Sequence, residues 1–166
     1  VEAKEVLVER GDAPENESGR IGAEKFLTFK LAGQEYGLEI HKVREIIGLH
    51  DITFVPQTPE YVKGVINLRG KVIPVIDLRL RFGFPPESYH ERTCIIVVET
   101  DTHDDQREVN GLVVDAVSEV LNIDSGQIEA TPPMGSEIKT DYILGLAKGQ
   151  GTVRILLDID RILKEN

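Results

Sequence analysis

The chain has 166 residues, 40 % of them hydrophobic, a single cysteine and a formal net charge of −10. That length bounds it to one domain or two very small ones, able to bury roughly 70 % of the unfolded surface without a metal or disulfide. Such acidity argues against nucleic acid, which is bound by Lys and Arg; one cysteine allows no internal disulfide and favours a reducing compartment; no apolar run nears the ~18 residues of a membrane span.

Residues 1–24 are polar and rich in Glu, carry no charged-then-apolar leader, and read as a flexible acidic tail. Val6 and Val8 alternate there, which allows a short strand within Glu5–Arg10. From Lys25 the pattern changes. Leu27, Phe29 and Leu31 alternate with Thr28 and Lys30, Ala32-Gly33-Gln34 turns, and Tyr36–Ile40 returns. Ile40, Val43, Ile46 and Ile47 predict one helical or irregular turn followed by a strand. Ile52–Val55 predicts a short strand stopped by Pro56. Gly64–Leu68 and Lys71–Ile76 flank Arg69-Gly70 as a hairpin, with Gly70 supplying positive φ. Pro74 cannot donate to a ladder, so its strand is expected at an edge or at a bulge. Asp77 stands where a helix N-cap belongs, before a short helix over Leu78–Phe82.

Beyond Pro85-Pro86, Cys94–Glu99 is apolar at nearly every position and reads as a buried strand. Asp101–Arg107 reads as a polar hairpin loop, and Val109–Val114 as a strand bent or bulged at Gly111. Ile128–Thr131 is a short strand, Tyr142–Leu146 and Thr152–Leu157 a second hairpin, and Asp158–Lys164 a C-terminal helix capped by Asp158.

The second hairpin echoes the first. Matched without a gap, residues 61–82 and 142–163 put Tyr61 on Tyr142, Gly64 on Gly145, Gly70 on Gly151 and Asp77 on Asp158. Upstream, Gly37–Ile40 and Val43–Ile47 match Gly111–Val114 and Val117–Leu121, and Phe54-Val55-Pro56 matches Ala130-Thr131-Pro132. Two copies of one unit, many short strands and little helix predict an all-β protein of two small barrels, one per copy. The boundaries read from the residues are a tail over 1–24, a first barrel over 25–91 and a second over 92–166.

No chemistry announces itself. His41, His50, His90 and His103 lack metal-ligand spacing, and Cys94 stands alone. Asp101, His103, Asp104 and Asp105 lie in a loop without a calcium-site glycine pattern. The run from Gly145 to Thr152 fails as a phosphate loop, because its Lys does not follow the last glycine and the run joins two strands. Asp77 and Asp158 are better explained as equivalent helix caps than as paired catalytic carboxylates. A nucleic-acid-binding barrel is the alternative class, but aromatics make up 5 % of the chain and there is no Trp to stack bases. Lys63, Arg69, Lys71, Arg79 and Arg81 form a basic stretch against one acid, Asp77, which suits an acidic protein partner.

Gly64-Val-Ile-Asn-Leu-Arg-Gly followed by Val72-Ile-Pro-Val-Ile-Asp-Leu-Arg resembles the signature of the bacterial chemotaxis coupling-protein family, CheW. The likeness extends through Tyr36-Gly37, Lys42–Ile46, Gly111–Asp115 and Tyr142–Leu146. It implies two intertwined SH3-like five-stranded barrels with short helices and a C-terminal helix. It also implies a non-enzymatic, cytoplasmic adaptor without cofactors, joining the cytoplasmic tips of transmembrane chemoreceptors to the regulatory domain of the histidine kinase CheA. The module also occurs as a regulatory part of CheA and at the front of CheV. The sequence reads as having no ATP-binding, phosphotransfer or receiver segment, so the free-standing adaptor is preferred. Residue by residue, the resemblance places Val43, Glu45, Gly64, Arg69, Cys94 and Val120 on or beside the receptor groove. It places Met134 and Leu144 to Leu146 on the kinase-facing surface. Gly64 and Cys94 also have plain structural readings, and Val43 and Val120 have core ones. Arg69 sits at a hairpin tip where packing gives no reason for an arginine, so Arg69→Ala is expected to weaken receptor binding with little loss of stability.

Overall fold

The computed structural model describes residues 6–7, 24–101, 106–132, 140–149 and 151–164. Its strands are β1 (Val6–Leu7), β2 (Glu24–Leu31), β3 (Gln34–Glu39), β4 (Val43–Gly48), β5 (Val62–Leu68), β6 (Lys71–Asp77), β7 (Cys94–Asp101), β8 (Arg107–Val114), β9 (Ala116–Ile123), β10 (Ile128–Glu129), β11 (Ile143–Lys148) and β12 (Val153–Leu157). Two short helices, α1 (Leu78–Arg81) and α2 (Ile159–Lys164), follow the two repeated hairpins. The fold is all-β, as the sequence predicts.

The strands do not divide one barrel per copy. One sheet runs β1-β4-β7-β8-β6-β5 and the other β10-β11-β12-β3-β2-β9. Each takes the first hairpin of one copy and the last three repeated strands of the other, joined by a parallel pair. The two junctions match in register: Val75 lies beside Gly111 in one and Leu156 beside Gly37 in the other. A cut after residue 91 therefore follows neither sheet, and the halves 25–91 and 92–166 are exchanged rather than adjacent.

Every repeated strand of the first sheet sends alternate residues into one apolar cluster: Ile47, Ile66, Ile73, Val75, Ile95, Val97 and Val113. A flat sheet cannot turn five strands onto one cluster; a barrel does. Phe26, Ile123, Ala147 and Leu156 fill the second barrel. The other faces meet between the barrels, where Leu27, Phe29, Tyr36 and Leu38 pack against Ile76, Ile96, Val98 and Leu112. This explains why β7 is apolar on both sides: Ile95 and Val97 line a barrel while Ile96 and Val98 line the seam. Phe29, Tyr36, Phe82 and Tyr142 run through that seam with ring centroids 5.8, 6.0 and 6.4 Å apart in turn.

Several local expectations change. The strand expected at Ile52–Val55 is a single bridge from Thr53 to Val65. β6 is internal, between β5 and β8, yet its register with β8 begins only at Val75. Pro74 therefore has β5 on one side and no paired strand on the other, which tolerates its missing N–H. Gly111 marks no bulge, because the β7–β8 register runs through it unbroken. It is needed for closeness: a Cβ there would meet Ile95 Cγ2 at 2.8 Å. Within the expected tail, Val6–Leu7 pairs with Ile46 and Glu45 at the edge of β4. Residues 1–5 and 8–23 lie outside the described residues.

Among the described residues, two sets of polar contacts at the short helices join the halves. Arg81 lies between the equivalent tyrosines Tyr61 and Tyr142, its guanidinium carbon 4.7 and 5.2 Å from their ring centroids, and donates to the Ile162 carbonyl. Ile162 is the repeat equivalent of Arg81, so this contact lies where the copies meet. Replacing Arg81 by Met is expected to cost about 2 kcal/mol, from lost cation–π and charge-assisted contacts; urea unfolding measures it.

The second set is a pair of crossover ion pairs. Arg79 on α1 grips Asp115 with two bonds of 2.8 and 2.6 Å, and the Ala32 N–H donates to the same carboxylate at 2.9 Å. At the equivalent place on α2 stands Asp160, bound to Lys42 at 2.8 Å. Burial pushes the Asp115 carboxyl up, but the Arg79 and Ala32 hydrogen bonds outweigh it and hold the group below its usual value. Its contribution is therefore present above the unfolded value of about 3.9 and is lost as pH falls through the native one. We expect Asp115→Asn to be less stable at neutral pH by about 1 to 2 kcal/mol, the deficit closing as pH drops below about 4. Paired unfolding curves across pH check this.

Candidate functional site

The hairpin between β5 and β6 sets the first feature. A two-residue turn that matches strand twist needs positive φ twice, and Arg69 and Gly70 adopt +49° and +87°. The Gly70 N–H donates to Asn67 Oδ1 at 2.8 Å and closes the turn. Arg69 is thus held in a conformation that a side chain disfavours, with its guanidinium turned back over the barrel mouth. There it donates to Glu45 Oε2.

Glu45 is 2 % exposed, whereas the Arg69 side chain is 53 % exposed. Glu45 is buried in alternation with Val43 and Ile47 along β4, and a bulge between Val43 and Glu45 in the β4–β7 pair carries the strand from the seam side to the barrel side. Beside the pair is a cleft of about 140 Å³ whose walls include Arg44, Lys71, Leu68, Ile73 and Val109. Arg69 is therefore no idle tip residue: removing it would leave a carboxylate buried without its cation.

The other predicted groove residues scatter. Val43 is fully buried in the seam. Gly64 is pinned by backbone: a Cβ would lie 2.0 Å from the Thr53 carbonyl oxygen. Cys94 is half-buried against the seam, and burial raises its thiol to about 11 despite a hydrogen bond from the Val117 backbone, so it is unreactive at neutral pH. Val120, further along β9, is 47 % exposed. The structure thus joins Glu45 directly to Arg69 and leaves Val120 as an accessible apolar residue.

A second surface lies on the other barrel. Leu144 is 44 % exposed and Leu146 half-buried on β11. Leu146 lines a shallow hollow of about 450 Å³ with Val153, Ile155, Gln34 and Glu35. Met134 lies outside the described residues. The sequence reading did not single out Val153 or its repeat equivalent Val72, both exposed on the outer faces of the two hairpins. Their matching places in the repeat were the available signal. Among the described residues no three His, Cys, Asp or Glu side chains converge as a metal site, and no helix is long and apolar enough to cross a membrane.

Two interlocked barrels, with a charged mouth on one and an exposed apolar face on the other, form an architecture of the kind an adaptor uses. Residues 25–166 match the CheW-like domain, and the chain belongs to that family. It is 39 % identical over 146 residues to the chemotaxis protein CheW of Klebsiella aerogenes, covering 88 % of this chain and 85 % of that one. It is 34 % identical over 142 residues to the Thermotoga maritima chemotaxis protein CheW, covering 84 % and 87 %. The crystal structure of the scaffolding protein TtCheW from Thermoanaerobacter tengcongensis superposes with a TM-score of 0.76 at 39 % identity, covering 87 % of this chain and 90 % of that one. The family role is that of a chemotaxis scaffold, and the nucleic-acid alternative finds no support among these relatives.

Proposed function

We propose that the chain is a non-catalytic adaptor that binds the cytoplasmic tips of chemoreceptors through the Arg69–Glu45 mouth and the nearby seam. It binds the regulatory domain of the histidine kinase CheA through the outer face of the second barrel. It works in the cytoplasm at receptor clusters. The observation that carries this reading is the separation of the two surfaces: a charged, partly buried mouth on one barrel and an open apolar face around Leu144, Leu146 and Val153 on the other. Holding two partners at once raises their effective concentration for one another, which lets a protein act without chemistry. Apolar area excluded from water supplies affinity on the second face, while charges on the first set register and selectivity.

The test is a two-partner binding assay with purified kinase and a receptor cytoplasmic fragment. Leu144→Glu with Leu146→Glu is expected to weaken kinase binding at least about tenfold, since charge would enter an apolar contact, while receptor binding holds. Unchanged kinase binding would place that partner elsewhere.

A further inference from the structure

The Arg69–Glu45 pair is only half complete. Glu45 Oε2 is taken by Arg69, but Oε1 is buried with no hydrogen-bond partner among the described residues. A buried carboxyl oxygen without a donor is among the costlier defects a protein interior can carry, and such groups call for an explanation. Here the side chain lines an open cleft, so a ligand can supply what the protein does not.

The walls restrict the ligand's chemistry. Among the described residues that line the cleft, Arg44, Arg69 and Lys71 stand beside one carboxylate, so an incoming ammonium or guanidinium would meet an excess of like charge. An incoming carboxylate or phosphate would meet the lone pairs of Oε1. Leu68, Ile73 and Val109 offer an apolar wall to a short stem. A cleft of about 140 Å³ is the size class that admits one small group. What fits is neutral and planar, with a donor beside an acceptor: the side-chain carboxamide, whose NH₂ donates and whose oxygen accepts.

We propose that this cleft is a carboxamide subsite, receiving one Asn or Gln side chain of the polypeptide that docks there. The amide N–H donates to Glu45 Oε1, and the amide oxygen accepts from Arg44 or Lys71. The idea deepens the receptor-site reading and rests on it for the identity of the docking polypeptide, though not for the chemistry of the cleft.

The test is a set of NMR titrations of the whole chain with four capped alanine-based pentapeptides at millimolar concentration, differing only at a central Gln, Glu, Ser or Leu. The Gln peptide is expected to shift the amides of Arg44, Glu45, Arg69 and Lys71 saturably, binding about tenfold more tightly than the others. Glu45→Gln offers an amide donor where the unpartnered oxygen was, so the preference should pass from the Gln peptide to the Glu peptide. A merely structural Glu45 would not invert a preference. Should Glu45→Gln fail to fold, Arg44→Met with Lys71→Met removes the partners of the amide oxygen and should abolish the Gln preference with Glu45 intact.

Absence of saturable shifts with every peptide, meaning water alone satisfies Oε1, would overturn the proposal. So would Ser or Leu binding as well as Gln, or a preference that both variants leave unchanged. Retention of the receptor fragment by the unaltered chain is measured separately. Its absence would remove the receptor reading while the peptide result stood on its own.

Discussion

Gly64→Ala is expected to be the most damaging single-methyl addition on the repeated hairpins, costing about 4 kcal/mol. Two effects combine. The backbone at Gly64 has φ +142°, a region that side chains rarely enter. The added Cβ would also fall 2.0 Å from the Thr53 carbonyl oxygen and 2.7 Å from its carbon. Neither can yield cheaply, because Thr53 and Val65 exchange two backbone hydrogen bonds of 2.8 and 2.9 Å across that contact. The repeat supplies an internal control. At Gly145 a Cβ would meet the Ile128 Cγ2 methyl at 2.6 Å and the Glu129 oxygen at 3.0 Å, and φ lies outside the left-handed region. A side chain can move, so Gly145→Ala should cost about 1 to 2 kcal/mol. Thermal unfolding of both variants checks the order. Equal losses would mean that the Thr53 contact relaxes. Lost receptor binding in a Gly64 variant would then report a damaged barrel rather than a missing contact.

Arg69→Ala is expected to cost about 2 kcal/mol of stability as well as binding. Breaking a buried ion pair by removing one partner is severe, and the exposure of the arginine moderates it. The replacement also frees the turn of a left-handed arginine, but an alanine at φ +49° keeps that strain. Arg69→Ala combined with Glu45→Gln should recover most of the stability, since no uncompensated charge remains, while receptor binding stays low. Urea midpoints and receptor retention, measured on the same four proteins, separate the two roles. An additive cycle would mean that the pair contributes no coupling. This outcome departs from the sequence expectation of a tip residue without structural consequence.

The difference between the two expectations shows what kind of information the sequence holds. Alternation located most strands, and the glycine pattern located the turn at Arg69-Gly70, because both depend on neighbours a few residues away. The exchange of hairpins was not legible from residues alone. Identical repeat positions pair equally well within a copy or across copies, and only the family resemblance implied intertwining. β9 went unread as a strand because a register shift opposite Leu27 and Phe29 breaks its alternation and leaves Ser118, Glu119 and Val120 exposed together. The partner of Arg69 was missed for a different reason: Glu45 alternates with buried Val43 and Ile47, but nothing in the pattern of β4 pairs it with a turn 24 residues away. Leu144 and Leu146 were named through the resemblance, while Val72 and Val153 were readable from the repeat itself.

The crossover ion pairs bear on how a doubled chain avoids self-confusion. The copy closer to the N-terminus supplies both cations, Lys42 and Arg79, and the later copy supplies both anions, Asp115 and Asp160. Two early halves brought together from separate molecules would set Arg79 against His41 and Lys42, and two late halves would set Asp160 against Asp115. At the short helices, like charges therefore oppose the pairing of two early or of two late halves and favour an early half beside a late one.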